Sequence, residues 1–194
     1  EDLKRRDFTI NALAYSPSQK KLVDLYDGVK DIKDKIIRAV GEPEERFSED
    51  ALRIVRAIRL SAELDFSIEG KTKEAMASQG PQLGKISKER IRDEFVRVLM
   101  SKNPMKAILL AQNVGILSYI NADLEKGMGI EQNQAHSYDV FEHNIRSLQH
   151  AADKGWEFEV RLAALFHDIG KPKARRRSEE KNDWTFHGHD VVGA

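Results

Sequence analysis

Two groups of residues in this 194-residue chain have types and spacings suited to chemistry. The first lies in RFSEDALRIVRAIR, Arg46 to Arg59, where Asp50 and Arg53 stand three apart. On a helix that spacing sets two side chains beside each other, with roughly 5 to 6 Å between Cβ atoms, about the separation of neighbouring groups on a nucleobase edge. Cytosine and adenine each present an exocyclic amino donor next to a ring-nitrogen acceptor, so the carboxylate accepts and the guanidinium donates. Guanine and uracil have the opposite polarity and would leave both groups unpaired, at about 1 to 3 kcal/mol per group. The plainer reading is an ion pair on a helix surface, worth about 0.2 to 0.5 kcal/mol.

The second group is in the last third of the chain. All six histidines fall between His136 and His189, and the first 135 residues have none. His143, the adjacent pair His167-Asp168, and then His187 and His189 offer imidazole and carboxylate donors for a divalent metal. The other reading of His143, His167 and Asp168 is a hydrogen-bonded cluster inside a helical core. Gly170 stops the helix that carries His167, and Lys171 stands ready for a phosphate.

These side chains need elements to position them. Ser48 is placed as an N-cap, with Glu49 and Asp50 in a first turn that the helix dipole favours, and no Gly or Pro follows until Gly70, so one helix is expected from Ser48 to Leu64. Ala51, Ile54, Val55, Ile58 and Ala62 share one face of it, and Arg53, Arg56 and Arg59 form a ridge on the other, interleaved with Leu52 and Leu60. Upstream, RDFTINALAY alternates, with Asp7, Thr9 and Asn11 on one side and Phe8, Ile10 and Ala12 on the other, as in a half-buried strand. Leu22 to Leu25 reads as its hairpin partner, with a short helix to Lys35 and a strand at Ile36 to Val40 after it. Helices are expected at Glu69 to Ala77, Ser87 to Ser101, Asn103 to Gln112, Val114 to Ile120, Tyr138 to Asp153 and Phe158 to Asp168, the last apolar all round. The fold class is α+β: the end of a mixed sheet domain at 1–45, a helical middle at 46–124 and a helical domain at 125–194.

Composition excludes more than it identifies. Thirty-two basic and thirty-two acidic residues give a formal net charge of zero, so a nucleic-acid partner has to be sought in local patches. The absence of cysteine rules out disulfides and thiolate metal sites. No apolar run approaches the roughly 20 residues of a membrane span, so no membrane partner is expected and a cytoplasmic location is the default.

RRDFTINA at Arg5 to Ala12, DLYDG at Asp24 to Gly28 and EDALRIVRAIR at Glu49 to Arg59 resemble, in order and spacing, three consecutive motifs of the bacterial-type (class II) tRNA nucleotidyltransferases and their poly(A) polymerase relatives. ISKERIRDEF and the histidine-rich last part continue the resemblance, the latter being similar to the HD superfamily of metal-dependent phosphohydrolases. The resemblance implies addition of CCA, or part of it, to tRNA 3′ ends from CTP and ATP without a template, with Mg2+ at the transfer site. Asp50 and Arg53 would read the incoming base.

By the same resemblance, Arg56 and Arg59 would hold the triphosphate or shape the pocket, Asp7 and Asn11 would face the ribose, the plainer reading being polar residues of an edge strand, and Asp24 and Asp27 would shape a turn with Gly28, while Arg5 and Arg6 either serve substrate or pair with local carboxylates. His143, His167, Asp168 and His187 would bind a divalent metal whose identity is open. The family's catalytic Asp-x-Asp pair is expected upstream of Glu1, so this stretch by itself is expected not to transfer nucleotides. A second hypothesis gives the main activity to the HD part, as a phosphohydrolase of nucleotides or phosphodiester ends. A poly(A) polymerase relative shares the same motifs, and the oligomeric state is left open.

Overall fold

The computed structural model describes residues 2–133, 137–180 and 182–194. The chain opens on a 3-10 turn at Asp2–Arg5, and a second follows at Thr9–Asn11. A hairpin of β1 (Leu13–Ser16) and β2 (Lys21–Asp24) comes next, in antiparallel register with Tyr15 opposite Leu22. Helix α1 (Gly28–Asp34) leads to β3 (Ile36–Ile37). The expected strand over RDFTINALAY therefore survives only at its end. Its first part is a bridge from Phe8 to Ala39 and then the 3-10 turn, because Thr9 turns inward, donating to Asp31 Oδ2 at 2.7 Å, and does not continue an alternation. Asp7 and Asn11 still meet, with Asn11 Nδ2 donating to Asp7 Oδ1 at 3.2 Å, because the 3-10 turn at Thr9–Asn11 folds the chain back where a continuous strand would carry the two apart.

The turn before α1 needs its glycine. A Cβ on Gly28 would lie 2.2 Å from the Thr9 carbonyl oxygen, so only a bare backbone lets α1 approach the 3-10 segment. Asp24 organises the same turn by accepting the backbone N–H groups of Gly28 (2.9 Å), Val29 (3.0 Å) and Tyr26 (3.3 Å), and the Val29 bond above all holds its carboxyl below the usual range.

The expected single helix from Ser48 to Leu64 is two. Helix α2 runs Pro43–Glu49 with Pro43 in its first turn, and α3 runs Leu52–Leu64. Asp50 breaks them with extended backbone (φ −154°, ψ 101°), and its Oδ1 accepts the Leu52 N–H at 3.1 Å. A short acidic side chain that can satisfy its own downstream backbone competes with a continuous helix, and here it wins. Ser48, the expected cap, sits inside α2 and donates to Gln79 Oε1 at 3.2 Å.

Helix α3 is the axis of the molecule. Leu52, Ile54, Val55, Ala57, Ile58, Leu60 and Ala62 are all buried, and α5 (Lys88–Met100) and α6 (Pro104–Asn113) pack against it. Strand β3 runs parallel to the short β4 (Ser67–Ile68), which brackets α2 and α3, and α4 (Gly70–Gln79) follows with Glu69 as a true side-chain cap. Helix α7 (Leu117–Glu125) is bent at Asn121.

The last part is α8 (Val140–Asp153) packed on α9 (Phe158–Phe166). A short α10 (Lys171–Ala174), a hairpin of β5 (Arg176–Ser178) and β6 (Asp183–Thr185), and α11 (His189–Gly193) follow. Helix α9 is not apolar-buried all round as its composition suggests: Val160 is 45% exposed, while Arg161 is buried. Arg161 ties this part to the middle, donating to the carbonyls of Leu99 (2.9 Å) and Ser101 (3.0 Å) at the end of α5 and to Trp156 (2.8 Å). One apolar core runs from Phe8 through α3 to Leu165. Among the described residues no single helix is long and apolar enough to cross a membrane.

Candidate nucleotide pocket and metal centre

The break at Asp50 changes how the proposed base-reading couple is held. Asp50 and Arg53 are not paired to each other by side chains; the Arg53 N–H donates to the Asp50 backbone carbonyl at 3.1 Å, the first turn of α3. Each side chain is fixed by other groups. Arg90 of α5 donates to Asp50 Oδ2 at 2.7 Å, and Arg53 reaches Glu49 (2.6 Å), the Arg46 carbonyl (2.9 Å) and the Arg5 carbonyl (3.4 Å). Arg53 is thus bound to the opening segment across nearly fifty residues of sequence.

Beside that contact lies an open cavity of about 330 Å³ lined by Arg5, Arg6, Asp7, Asn11, Arg53 and Arg56. Arg56 Nη2 lies 2.9 Å from Asp7 Oδ2, and Arg6 pairs with Asp2 at 2.7 Å. Four arginines line this polar cavity beside the buried Asp7 carboxylate, and three of them, Arg6, Arg53 and Arg56, already have a carboxylate partner in Asp2, Glu49 and Asp7; unlike Arg59 they border an open cavity, a lining that suits an anion. Asp50 is not among the lining residues; its carboxylate turns toward α5 and remains 29% exposed at the α2–α3 corner.

The structure does not bring Arg59 to this cavity. Its side chain is 6% exposed and paired with Glu94 of α5 (2.7 Å) and Glu63 (2.9 Å), so its charge is satisfied between two helices and unavailable to a phosphate. Helical spacing alone put it in a ridge with Arg53 and Arg56; α5, which covers that end of the ridge, is what separates it. Sequence reasoning also passed over Arg90. Spacing gave no signal for it: Arg90 and Glu94, one turn apart in ISKERIRDEF, read as a pair on one helix face, whereas they hold Asp50 and Arg59 of other elements.

In the histidine-rich part, α8 and the end of α9 bring His143, His167 and Asp168 together, with one donor atom from each within 4.8 Å of the others. His143 Nε2 is 3.0 Å from His167 Nε2, and Asp168 Oδ2 lies 3.5 Å from the former and 3.3 Å from the latter. His167 Nδ1–H donates to the Ala164 carbonyl at 2.9 Å, which orients Nε2 inward. Two imidazole nitrogens and one carboxylate oxygen converging this way fit a borderline divalent cation. The hydrogen bond to Asp168 raises the His167 pKa against the opposing effect of burial. Burial pushes the Asp168 carboxyl up, but hydrogen bonds from His167 and Lys171 outweigh it and hold it well below the usual range.

His187 is exposed and does not join this group; His189 does approach it, with Nε2 3.3 Å from Asp168 Oδ1 and Nδ1–H on the Phe186 carbonyl at 2.8 Å. Lys171 is not poised for an outside phosphate. It is 8% exposed and donates to Asp168 Oδ2 and Gln132 Oε1, both at 2.6 Å. Beyond it, Arg175 stacks 3.7 Å over the Trp184 ring and Arg177 lies 5.4 Å from it, packing the chain before β5 and β5 itself against β6.

Residues 1–38 match the poly(A) polymerase head domain, residues 65–128 the probable RNA and SrmB-binding site of polymerase A, and residues 140–194 the HD domain. The chain belongs to the bacterial-type tRNA nucleotidyltransferase and poly(A) polymerase family.

Among relatives, it is 36% identical over 201 residues to the A-adding tRNA nucleotidyltransferase of Deinococcus radiodurans, covering 100% of this chain and 46% of that protein. It is 54% identical over 108 residues to the CCA-adding enzyme of Ligilactobacillus salivarius, covering 56% of this chain and 26% of that protein. The Bacillus stearothermophilus CCA-adding enzyme in complex with CTP superposes with a TM-score of 0.62 at 32% identity, over 85% of this chain and 42% of that one. The Thermotoga maritima CCA-adding enzyme complexed with tRNA gives 0.64 at 27% identity, over 86% and 40%. The chain thus spans less than half the length of these relatives.

Proposed function

We propose that this chain supplies the nucleotide-selecting and RNA-facing part of an enzyme that adds CMP and AMP, as CCA or part of it, to tRNA 3′ ends in the cytoplasm, from CTP and ATP with Mg2+. One observation supports the reading: two sequence motifs far apart in the chain, the one holding Arg5 to Asn11 and the one holding Arg53 and Arg56, line a single arginine-rich cavity, and Arg53 belongs to the same helical turn as Asp50. The roles follow from position. Arg5, Arg6 and Arg56 hold phosphate, Asp7 with Asn11 faces the ribose, and Asp50 and Arg53 read the base edge at the α2–α3 corner. The 194 residues contain no Asp-x-Asp pair, so no catalytic metal ligand of the transfer step is assigned here.

The test is equilibrium binding of the four nucleoside triphosphates to this chain. CTP and ATP should bind alike and at least tenfold tighter than GTP and UTP, with no incorporation into tRNA; equal binding of all four would overturn the reading. Arg90→Met, which frees Asp50 without altering the cavity, should weaken CTP and ATP binding by up to about fivefold, the scale of an exposed ion pair.

A second reading is favoured by the His143, His167 and Asp168 geometry alone: the HD part is a metal-dependent phosphohydrolase of nucleotides or phosphodiester ends. When bound, the metal would lower the pKa of a water and clamp phosphoryl oxygens. Phosphate release from nucleotide substrates should then depend on added divalent cation and fall to background in His167→Ala. Release that survives His167→Ala, or needs no metal, would remove this reading.

A further inference from the structure

Asp168 is the most heavily engaged side chain of the metal centre, and its two oxygens have different neighbours. Oδ1 faces His189 at 3.3 Å. Oδ2, the oxygen directed at His143 and His167, carries the Lys171 ammonium at 2.6 Å. Lys171 is held there from the far side by Gln132 Oε1, also at 2.6 Å, and Gln132 is itself 6% exposed and anchored by donating to the Tyr138 carbonyl at 3.1 Å. The Phe186 ring lies 5.5 Å from the ammonium. A full positive charge is therefore locked, out of water, on the one carboxylate oxygen that the two imidazoles share.

We propose that Lys171 is a resident cation of this site: held by Gln132, it neutralises Asp168 when no metal is bound and sets a low affinity for a divalent ion by repelling it from a shared ligand oxygen. The inference rests on the reading of His143, His167 and Asp168 as metal ligands. It follows from charge and distance. A carboxylate oxygen has lone pairs for both a metal and an N–H donor, so the ammonium does not block the place sterically. It does stand within a few ångströms of any ion bound to Oδ2, and in a poorly hydrated pocket that repulsion is only weakly screened. In metal-free protein the same contact spares Asp168 from being an uncompensated buried carboxylate.

Lys171→Gln removes the charge and keeps a hydrogen-bond donor toward Asp168, and Lys171→Arg keeps the charge. Co2+ binding to metal-free protein, followed by calorimetry and by the visible absorption of the imidazole-bound ion with His143→Ala as the blank, should be at least tenfold tighter in Lys171→Gln than in wild type. Lys171→Arg should stay within threefold of wild type. The melting temperature of metal-free Lys171→Gln should fall, and its rise on adding Co2+ should exceed that of wild type. Should Lys171→Gln fail to fold, Gln132→Glu offsets the charge with Lys171 in place and is expected to tighten Co2+ binding likewise. Wild type that binds Co2+ while the charge-removing or charge-offsetting variant binds it equally or more weakly would overturn the resident-cation role alone. No Co2+ binding by wild type or by either variant would overturn the metal reading, and this inference with it.

Discussion

Asp50→Ala is expected to abolish the preference for CTP and ATP over GTP and UTP, a change of roughly 10- to 100-fold in relative binding, from the about 1 to 3 kcal/mol that an unsatisfied polar group costs in a desolvated contact. The alanine variant also loses the Leu52 N–H acceptor that starts α3, so a fall in stability of about 1 kcal/mol should accompany it. Asp50→Asn separates the two effects. Its Oδ1 can still accept from Leu52, while Nδ2 places a donor where the carboxylate accepted, opposite the amino groups of cytosine and adenine. The melting temperature should then stay near wild type while the preference for CTP and ATP is lost. Preference retained in both variants would mean that the corner residue fixes backbone only.

The second large effect is structural. Arg161→Ala removes a buried guanidinium that satisfies three carbonyl groups and joins α9 to the end of α5. Charge-assisted bonds of this kind and the carbonyls left unpaired should together cost about 3 to 5 kcal/mol. Because the bonds cross from the middle of the chain to the histidine-rich part, thermal unfolding monitored near Trp156 should lose cooperativity as well as temperature. Arg161→Lys, with one ammonium for three acceptors, should recover less than half of the loss. A melting temperature unchanged in Arg161→Ala would show that apolar packing alone joins the two parts.

Much of this was legible in the residues because it depends on local pattern. The hairpin pairing of Leu13–Ser16 with Lys21–Asp24, the helices that begin at Lys88, Pro104 and Val140, and the His143 to His167-Asp168 spacing were each readable, to within a few residues, from period and punctuation. What was not legible depends on competition or on distant partners. Asp50 looked like a first-turn residue of one long helix because its ability to bond its own downstream N–H is a local alternative with no periodic signature. Arg59 looked like a phosphate ligand because three arginines at helical spacing are equivalent until α5 covers one of them. Strand β4 is two residues long and has no pattern to read; it exists because β3 lies beside it. Lys171 looked free for a ligand, and only the fold shows Asp168 and Gln132 closing on it.

These differences bear on the base-reading account in a specific way. The couple was expected side by side on one helix surface; it is instead split across a corner, with Arg53 built into the cavity wall and Asp50 held by Arg90. A reader assembled from three elements can be adjusted by any of them, which is why Arg90 enters the predictions although it touches no ligand.

The most direct measurement is a crystal structure of this chain with CTP. The account predicts the cytosine edge at the α2–α3 corner, its amino group within hydrogen-bond distance of the Asp50 carboxylate and its ring nitrogen within that distance of the Arg53 guanidinium, with phosphates among Arg5, Arg6 and Arg56. A cytosine bound elsewhere, with Asp50 still paired only to Arg90 and Leu52, would contradict it.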